Sequence, residues 1–177
     1  MSTQVSQRPD GDGAHPALAA EHAHAERHRD TSRLASPARR VVLADVTEQR
    51  LDAAAHEAAV AGAASGAVVS FAGVVRDHDG GRPVAGIEYV GHPSAAAVLA
   101  EVVADVTARS DVDAVAVSHR LGTLAVGEAA LVVAVSAAHR HEAFAAAALL
   151  VDEVKHRLPV WKRQTFPDGT DEWVACP

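Results

Sequence analysis

The chain has 177 residues, 49% of them apolar, and a net charge of −7. That length suits one domain with a tail, and the apolar share can bury a real core. The acidic balance argues against non-specific nucleic-acid binding, so any anion site must be a local basic cluster. No apolar run approaches the roughly 20 residues of a membrane span, and the N-terminus lacks the apolar stretch of a secretory signal. The single cysteine, Cys176, cannot form an internal disulfide, and no metal-ligand cysteine spacing exists. A cytoplasmic setting is expected.

In chain order, residues 1–39 read as a disordered N-terminal tail with hardly any large apolar residue, and residues 40–177 as the folded domain. His22, His24 and His28 have no clean ligand spacing, so the tail reads as solvated rather than metal-binding. Val41–Val46 predicts a strand, and Thr47 an N-cap for a helix to about Val60. Gly62–Gly66 breaks the chain before a buried strand over Ala67–Val75. Asp77–Gly81 is a turn-rich loop, with Val84–Val90 the returning strand. Pro93 opens a helix to about Arg109. Ala114–Leu121 is a strand, and Gly122 and Gly127 bracket a turn-like piece. Ala129–Ser136 is a further strand. A helix follows His139 to about Arg157, ended by Pro159. Val160–Thr165 and Glu172–Ala175 are the last strands, either side of a Pro167-Asp168-Gly169 turn. This irregular alternation with hairpin-like pairs is α+β.

The chain contains two lysines, Lys155 and Lys162, while every other fixed positive side-chain charge is an arginine. An ammonium can lose its proton where a guanidinium cannot, so these positions are candidates for proton transfer or nucleophilic work. On the last helix Phe144, Ala148, Val151 and Lys155 share a face, so Lys155 is expected to emerge from the apolar stripe near the helix end. Alternation puts Val160, Lys162 and Gln164 on one strand face and Trp161, Arg163 and Thr165 on the other. A helix end and the adjoining strand can bring both lysines to one pocket. Two close ammonium groups would depress each other's pKa, and an anion between them would do the reverse. His139-Arg140-His141, at the N-terminus of the same helix, is a candidate anion site. Arg76, where a buried strand meets the Gly80-Gly81 loop, is either a ligand contact or a strand-end partner for Asp77. No glycine pattern matches a P-loop or dinucleotide fingerprint. The residues alone indicate an enzyme or binder with a basic pocket for a phosphorylated small molecule.

Gly66–His78 resembles the first motif of the molybdopterin synthase catalytic (large) subunit family. Ser118-His119-Arg120-Leu121-Gly122 with Gly127-Glu128 is similar to its middle segment. Ser136–Arg140 and Lys155–Arg163 are similar to its two most distinctive segments. The ordered set spans about Val41–Val174. The resemblance implies an α/β-hammerhead fold with an additional antiparallel β subdomain. It implies a homodimer within a heterotetramer, and a small ubiquitin-like sulfur-carrier subunit whose C-terminal Gly-Gly thiocarboxylate enters the pocket. It implies sulfur transfer to cyclic pyranopterin monophosphate, forming the molybdopterin dithiolene. Lys155 and Lys162 are then the catalytic candidates. Phe71, Val74, Val75, Arg76, His139, Arg140, Arg163 and Gln164 are the substrate-pocket candidates, His139 and Arg140 serving across the dimer. No metal or cofactor is implied. The sequence departs from the pattern at His92 and Ala97, where larger residues are expected, and at Gln164, where an acid is frequent. Two other readings remain: a lyase or acyltransferase with a lysine nucleophile, and a non-catalytic dimeric scaffold of the same fold.

Overall fold

The structure, a computed structural model, describes residues 36–175. The tail reading at residues 1–35, with His22, His24 and His28, and Cys176 lie outside them. The Arg39 guanidinium bonds the Asp111 carboxylate at 2.9 Å and the Ser110 carbonyl at 3.0 Å.

The first sheet runs β1 (Arg40–Thr47), β6 (Ala114–Arg120), β8 (Ala129–Ala137), β2 (Ala67–Val74). Only the β1–β6 pair is parallel; β6–β8 and β8–β2 are antiparallel. Alternation along β6 builds two cores on its two faces. Ala114 and Ala116, with Ala134 of β8, leave room for helix α1 (Ala53–Val60), whose Val60 is fully buried against them. Val115 and Val117, with Val133 and Val135, face the longer helices α2 (Ala95–Ala108) and α3 (Arg140–Arg157). Leu99, Val102, Val103, Val106 and Leu150 are fully buried there. Alanine on one face and valine on the other set how closely each helix approaches.

The second sheet, β10 (Asp171–Ala175), β9 (Val160–Thr165), β5 (Gly86–Gly91), β7 (Gly122–Ala125), is antiparallel throughout. It is the additional antiparallel subdomain, and the α+β expectation holds. A two-residue hairpin, β3 (His78–Asp79) and β4 (Arg82–Pro83), turns through Gly80 and Gly81 at φ 54° and 79°. Both turn residues need positive φ, which glycine adopts without a Cβ penalty.

Four local expectations need correction. Thr47 is not the N-cap of α1: it still pairs in β1 with Arg120, and its Oγ1 accepts from Gln49 N. Asp52 caps the helix, accepting from Ala55 N at 3.1 Å. The strand after the Gly80-Gly81 hairpin does not return to β2; it joins β7 and β9 in the second sheet. The piece after Gly122 is strand β7. Strand β2 is an edge strand rather than a buried one, with Val68, Phe71 and Val74 exposed.

Candidate active site

Helix α3 and strand β9 are joined by Pro159, which stops the helix and turns the chain at once. Val160 N bonds the Leu158 carbonyl at 2.8 Å, and His92 N bonds the Pro159 carbonyl at 2.9 Å, fixing the strand beside β5. The strand then presents Val160, Lys162 and Gln164 to one side, as alternation predicts. Opposite them on β5 stand Gly91, Tyr89 and Ile87. A cleft of about 410 Å³ opens on that side. The last turn of α3 forms one wall with Val154, Lys155 and Leu158, and the end of β2 forms another with Phe71, Val74, Val75 and Arg76.

The structure therefore brings together seven of the ten residues singled out in the sequence. Lys155 and Lys162 line one cleft with Phe71, Val74, Val75, Arg76 and Gln164. Lys155 is exposed and has no ion-pair or hydrogen-bond partner among the described residues. It sits in the final helical turn with His156 and Arg157, where the helix dipole favours cations. Its neighbour Arg157 is committed elsewhere, to Asp105 at 2.9 Å and Glu153 at 3.7 Å.

Lys155 does not emerge from the core stripe. The buried face of α3 is Ala143, Ala146, Ala147, Leu150 and Val154; Phe144 is 63% exposed. The stripe through Phe144, Ala148, Val151 and Lys155 is the flank beside it. The helix packs through alanines, whose short side chains let it lie close to β8 and β2.

Three residues lie elsewhere. Arg163 points to the other face of β9, where it pairs with Glu88 at 2.7 Å and Asp171 at 3.7 Å and stands 5.6 Å from the Trp173 ring. Alternation forbids it from sharing a face with Lys162. His139 and Arg140 border a separate hollow with His141, Glu142 and Phe144 at the start of α3. At 1.5 Å per residue, the fifteen residues from Arg140 to Lys155 span about 22 Å. Within one chain the two clusters do not meet.

Sequence reasoning missed Asp79, Tyr89 and His119. Asp79 lies between two cations, with Oδ1 3.2 Å from Arg76 and Oδ2 3.4 Å from Lys162. Its carboxyl is held below the ordinary aspartate range, first by the adjacent Gln164 side chain and then by the Lys162 charge, so it is ionised at neutral pH. His119 is 5% exposed and stands edge-on to Tyr89, ring centres 5.3 Å apart. Desolvation lowers its pKa to about 4, so this imidazole, which lines the same cleft, is neutral. The Arg120 backbone pulls weakly the other way without giving Nδ1 a hydrogen bond. The parity of Val115 and Val117 could have placed His119 on the cleft side. No local pattern joins Asp79 to a lysine 83 residues away. Among the described residues no group of His, Cys, Asp and Glu could hold a metal, and no helix is long and apolar enough to cross a membrane.

A family model described as MoaE protein matches residues 46–157, which include β2, both helices of the larger core and Lys155. A molybdopterin synthase catalytic subunit from Nostoc sp. is 40% identical over 114 residues, covering 63% of this chain and 69% of that protein. The crystal structure of molybdopterin synthase from Staphylococcus aureus superposes with a TM-score of 0.68 at 25% identity, covering 73% of this chain and 94% of that one. A Helicobacter pylori chain, solved as a protein–protein complex of subunit 1 and 2 of molybdopterin-converting factor, shares the fold at TM-score 0.58 and 17% identity, covering 74% of this chain and 88% of that one. With a family match across most of the folded region and a cleft assembled from the segments that resemble that family, the chain belongs to the MoaE family of molybdopterin synthase catalytic subunits.

Proposed function

We propose that this chain is a sulfurtransferase, moving sulfur from the C-terminal thiocarboxylate of a small ubiquitin-like carrier to cyclic pyranopterin monophosphate. The product is the dithiolene of molybdopterin. The observation that carries the reading is the meeting of Lys155, Lys162 and Arg76 on one cleft of about 410 Å³. The dithiolene takes two such transfers, and in each the thiocarboxylate sulfur bonds to a side-chain carbon of the pterin while a C–O bond at that carbon breaks, the oxygen leaving as water or staying on the phosphate. Water then adds at the acyl carbon and the C–S bond breaks, leaving a carboxylate on the carrier, a thiolate on the product and two protons to dispose of. Lys155 and Lys162 are the groups placed to move those protons and to hold the negative charge that develops on the adduct. Arg76 supplies a fixed charge for phosphate or carboxylate. Val74, Val75 and Phe71 supply an apolar wall for the ring and for the carrier's glycines. The carrier delivers the sulfur, so the chain needs no thiol of its own in the cleft.

The partner in this reading is a separate carrier subunit, and the working unit is a homodimer with one carrier at each end. His139 and Arg140 then complete the pocket of the opposite protomer. The setting is the cytoplasm, and the single cysteine is compatible with a reducing compartment.

The test mixes the purified chain with thiocarboxylated carrier and the pterin precursor and assays molybdopterin. Product is expected with the wild-type chain and a loss of about a hundredfold or more with Lys155→Ala. Full product with Lys155→Ala would favour a non-catalytic scaffold. Borohydride trapping of substrate on Lys155 would favour a lysine-nucleophile enzyme instead.

A further inference from the structure

The cleft already holds an anion, and it belongs to the chain itself. Asp79, on the β3–β4 hairpin, gives one carboxylate oxygen to Arg76 at 3.2 Å and the other to Lys162 at 3.4 Å. Gln164, only 4% exposed, lines the cleft alongside. Arg76 comes from the chain just after β2 and Lys162 from β9, so the carboxylate ties two elements across the mouth of the cleft. A ligand carboxylate or phosphate monoester would offer paired oxygens to the same two cations.

Both cannot be accommodated together. An incoming oxyanion would meet Asp79 at the same seat, and like charges at that separation repel. Leaving Lys162 without any anion is also unfavourable, because its side chain is only 19% exposed. The hairpin backbone is moored independently. Arg82 bonds Thr170 Oγ1 at 3.1 Å and lies 3.5 Å from the centre of the Phe166 ring, and Val84 N bonds the Asp77 carbonyl at 2.7 Å. The side chain of Asp79 is 31% exposed, so rotation about its own χ1 can carry it into water while the hairpin stays put.

We infer that Asp79 is a resident stand-in for the ligand's oxyanion, holding Arg76 and Lys162 in place until a terminal carboxylate or a phosphate ester displaces it. The inference rests on the proposed function for the identity of the carrier, but the seat itself can be probed without it. The ligand chemistry is a compact oxyanion. Its two sources, the carrier's C-terminus and the phosphate of the pterin, are separable.

The experiment uses the full chain as wild type, Asp79→Asn and Asp79→Ala. Calorimetry measures binding of a carrier ending in free carboxylate, the same carrier ending in carboxamide, and inorganic phosphate. Removing the internal competitor should tighten binding of the displacing oxyanion by about two- to tenfold. The carboxamide-ended carrier should bind all three proteins alike, an outcome that a purely structural role for Asp79 would not give. A gain confined to the carboxylate-ended carrier assigns the seat to the carrier's terminus, and one confined to phosphate assigns it to the pterin's phosphate; either upholds displacement. Unchanged or weakened binding of both oxyanions to both variants, with thermal midpoints unchanged, overturns it. If the variants fail to fold, the side-chain carboxyl carbon of Asp79 can be followed by NMR in the wild-type chain. Its resonance should shift on saturation with phosphate or carboxylate-ended carrier, and a fixed resonance with both overturns the proposal. Failure of the wild-type chain to bind either carrier or to form molybdopterin would instead sink the functional reading, and the phosphate arm would still report on Asp79.

Discussion

Lys162 and Arg163 are adjacent cations with opposite assignments, and the pleat separates them. Lys162 faces the cleft; Arg163 is spent on Glu88 and Asp171 across the outer face. Lys162→Arg keeps the charge but puts a group there that does not release a proton. The expected outcome is retained carrier binding with product formation down by about a hundredfold, read from paired binding and single-turnover assays. His119 makes a different prediction. Its folded pKa is lowered from 6.5 to about 4. Above pH 6.5 the ring is neutral in both states and adds no pH dependence. As the pH falls from 6.5 towards 4, the unfolded chain takes up a proton that the folded chain refuses, and stability drops by up to roughly 3 kcal/mol. The lowered carboxyls of Asp77, Asp79 and Asp168 act in a lower window, being lost only as the pH falls below their unfolded value of 3.8. Urea unfolding at pH 7, 5.5 and 4.5 should show a smaller loss for His119→Gln than for wild type; parallel losses would remove the buried-ring explanation. At this scale the sequence was legible where alternation governs, as at Lys162 and Gln164. It was illegible where a contact joins distant segments, as at Asp79.

Helix starts and strand pairings depend on chemistry spread over several residues. Both Thr47 and Asp52 are capping residue types, and only the continuation of β1 through Thr47 decides between them. Asp52→Ala should cost about 1 kcal/mol in chemical denaturation, whereas Thr47→Ala should leave α1 capped. Gly66 is a sharper case. A Cβ at that position would lie 2.3 Å from the Ala138 carbonyl oxygen, where β8 gives way to the start of α3. Gly66→Ala should therefore cost roughly 1–3 kcal/mol and displace the His139–Arg140 junction, visible as amide shifts confined to that corner. Strands β1, β2, β6 and β8 could be read from their valine-rich runs, and β9 from its place after Pro159. The second sheet could not be assembled from sequence, because β7 is four residues long and β5 looks locally like half of a hairpin with β2. On α3 the many alanines give little contrast between faces, so the stripe expected from spacing lies one position away from the buried one.

For the molecule as a whole, the deciding distance is the roughly 22 Å along α3 that separates Arg140 from Lys155 in one chain. Two substrate-pocket candidates at that distance can serve the lysine cleft only from a second copy. The surface is suited to one: Val68 and Val74 are 44% and 52% exposed on edge strand β2, and Phe144 stands out beside Arg140. Unpaired edge strands with apolar side chains are natural pairing surfaces. Subunit complementation decides the matter. Lys155→Ala and Arg140→Ala are each expected to lose most activity alone. In a hybrid dimer with a composite site, one cleft lacks both groups and the other has both intact. Random reassortment after co-refolding makes about half the dimers hybrids, so roughly a quarter of wild-type activity should return. If each cleft uses its own Arg140, every cleft in the hybrid carries one defect and nothing returns. The readout is product formation against mixing ratio, with the oligomeric state followed by sedimentation. A monomer that is fully active at all concentrations would remove the composite site altogether and leave His139 and Arg140 without a role in the cleft.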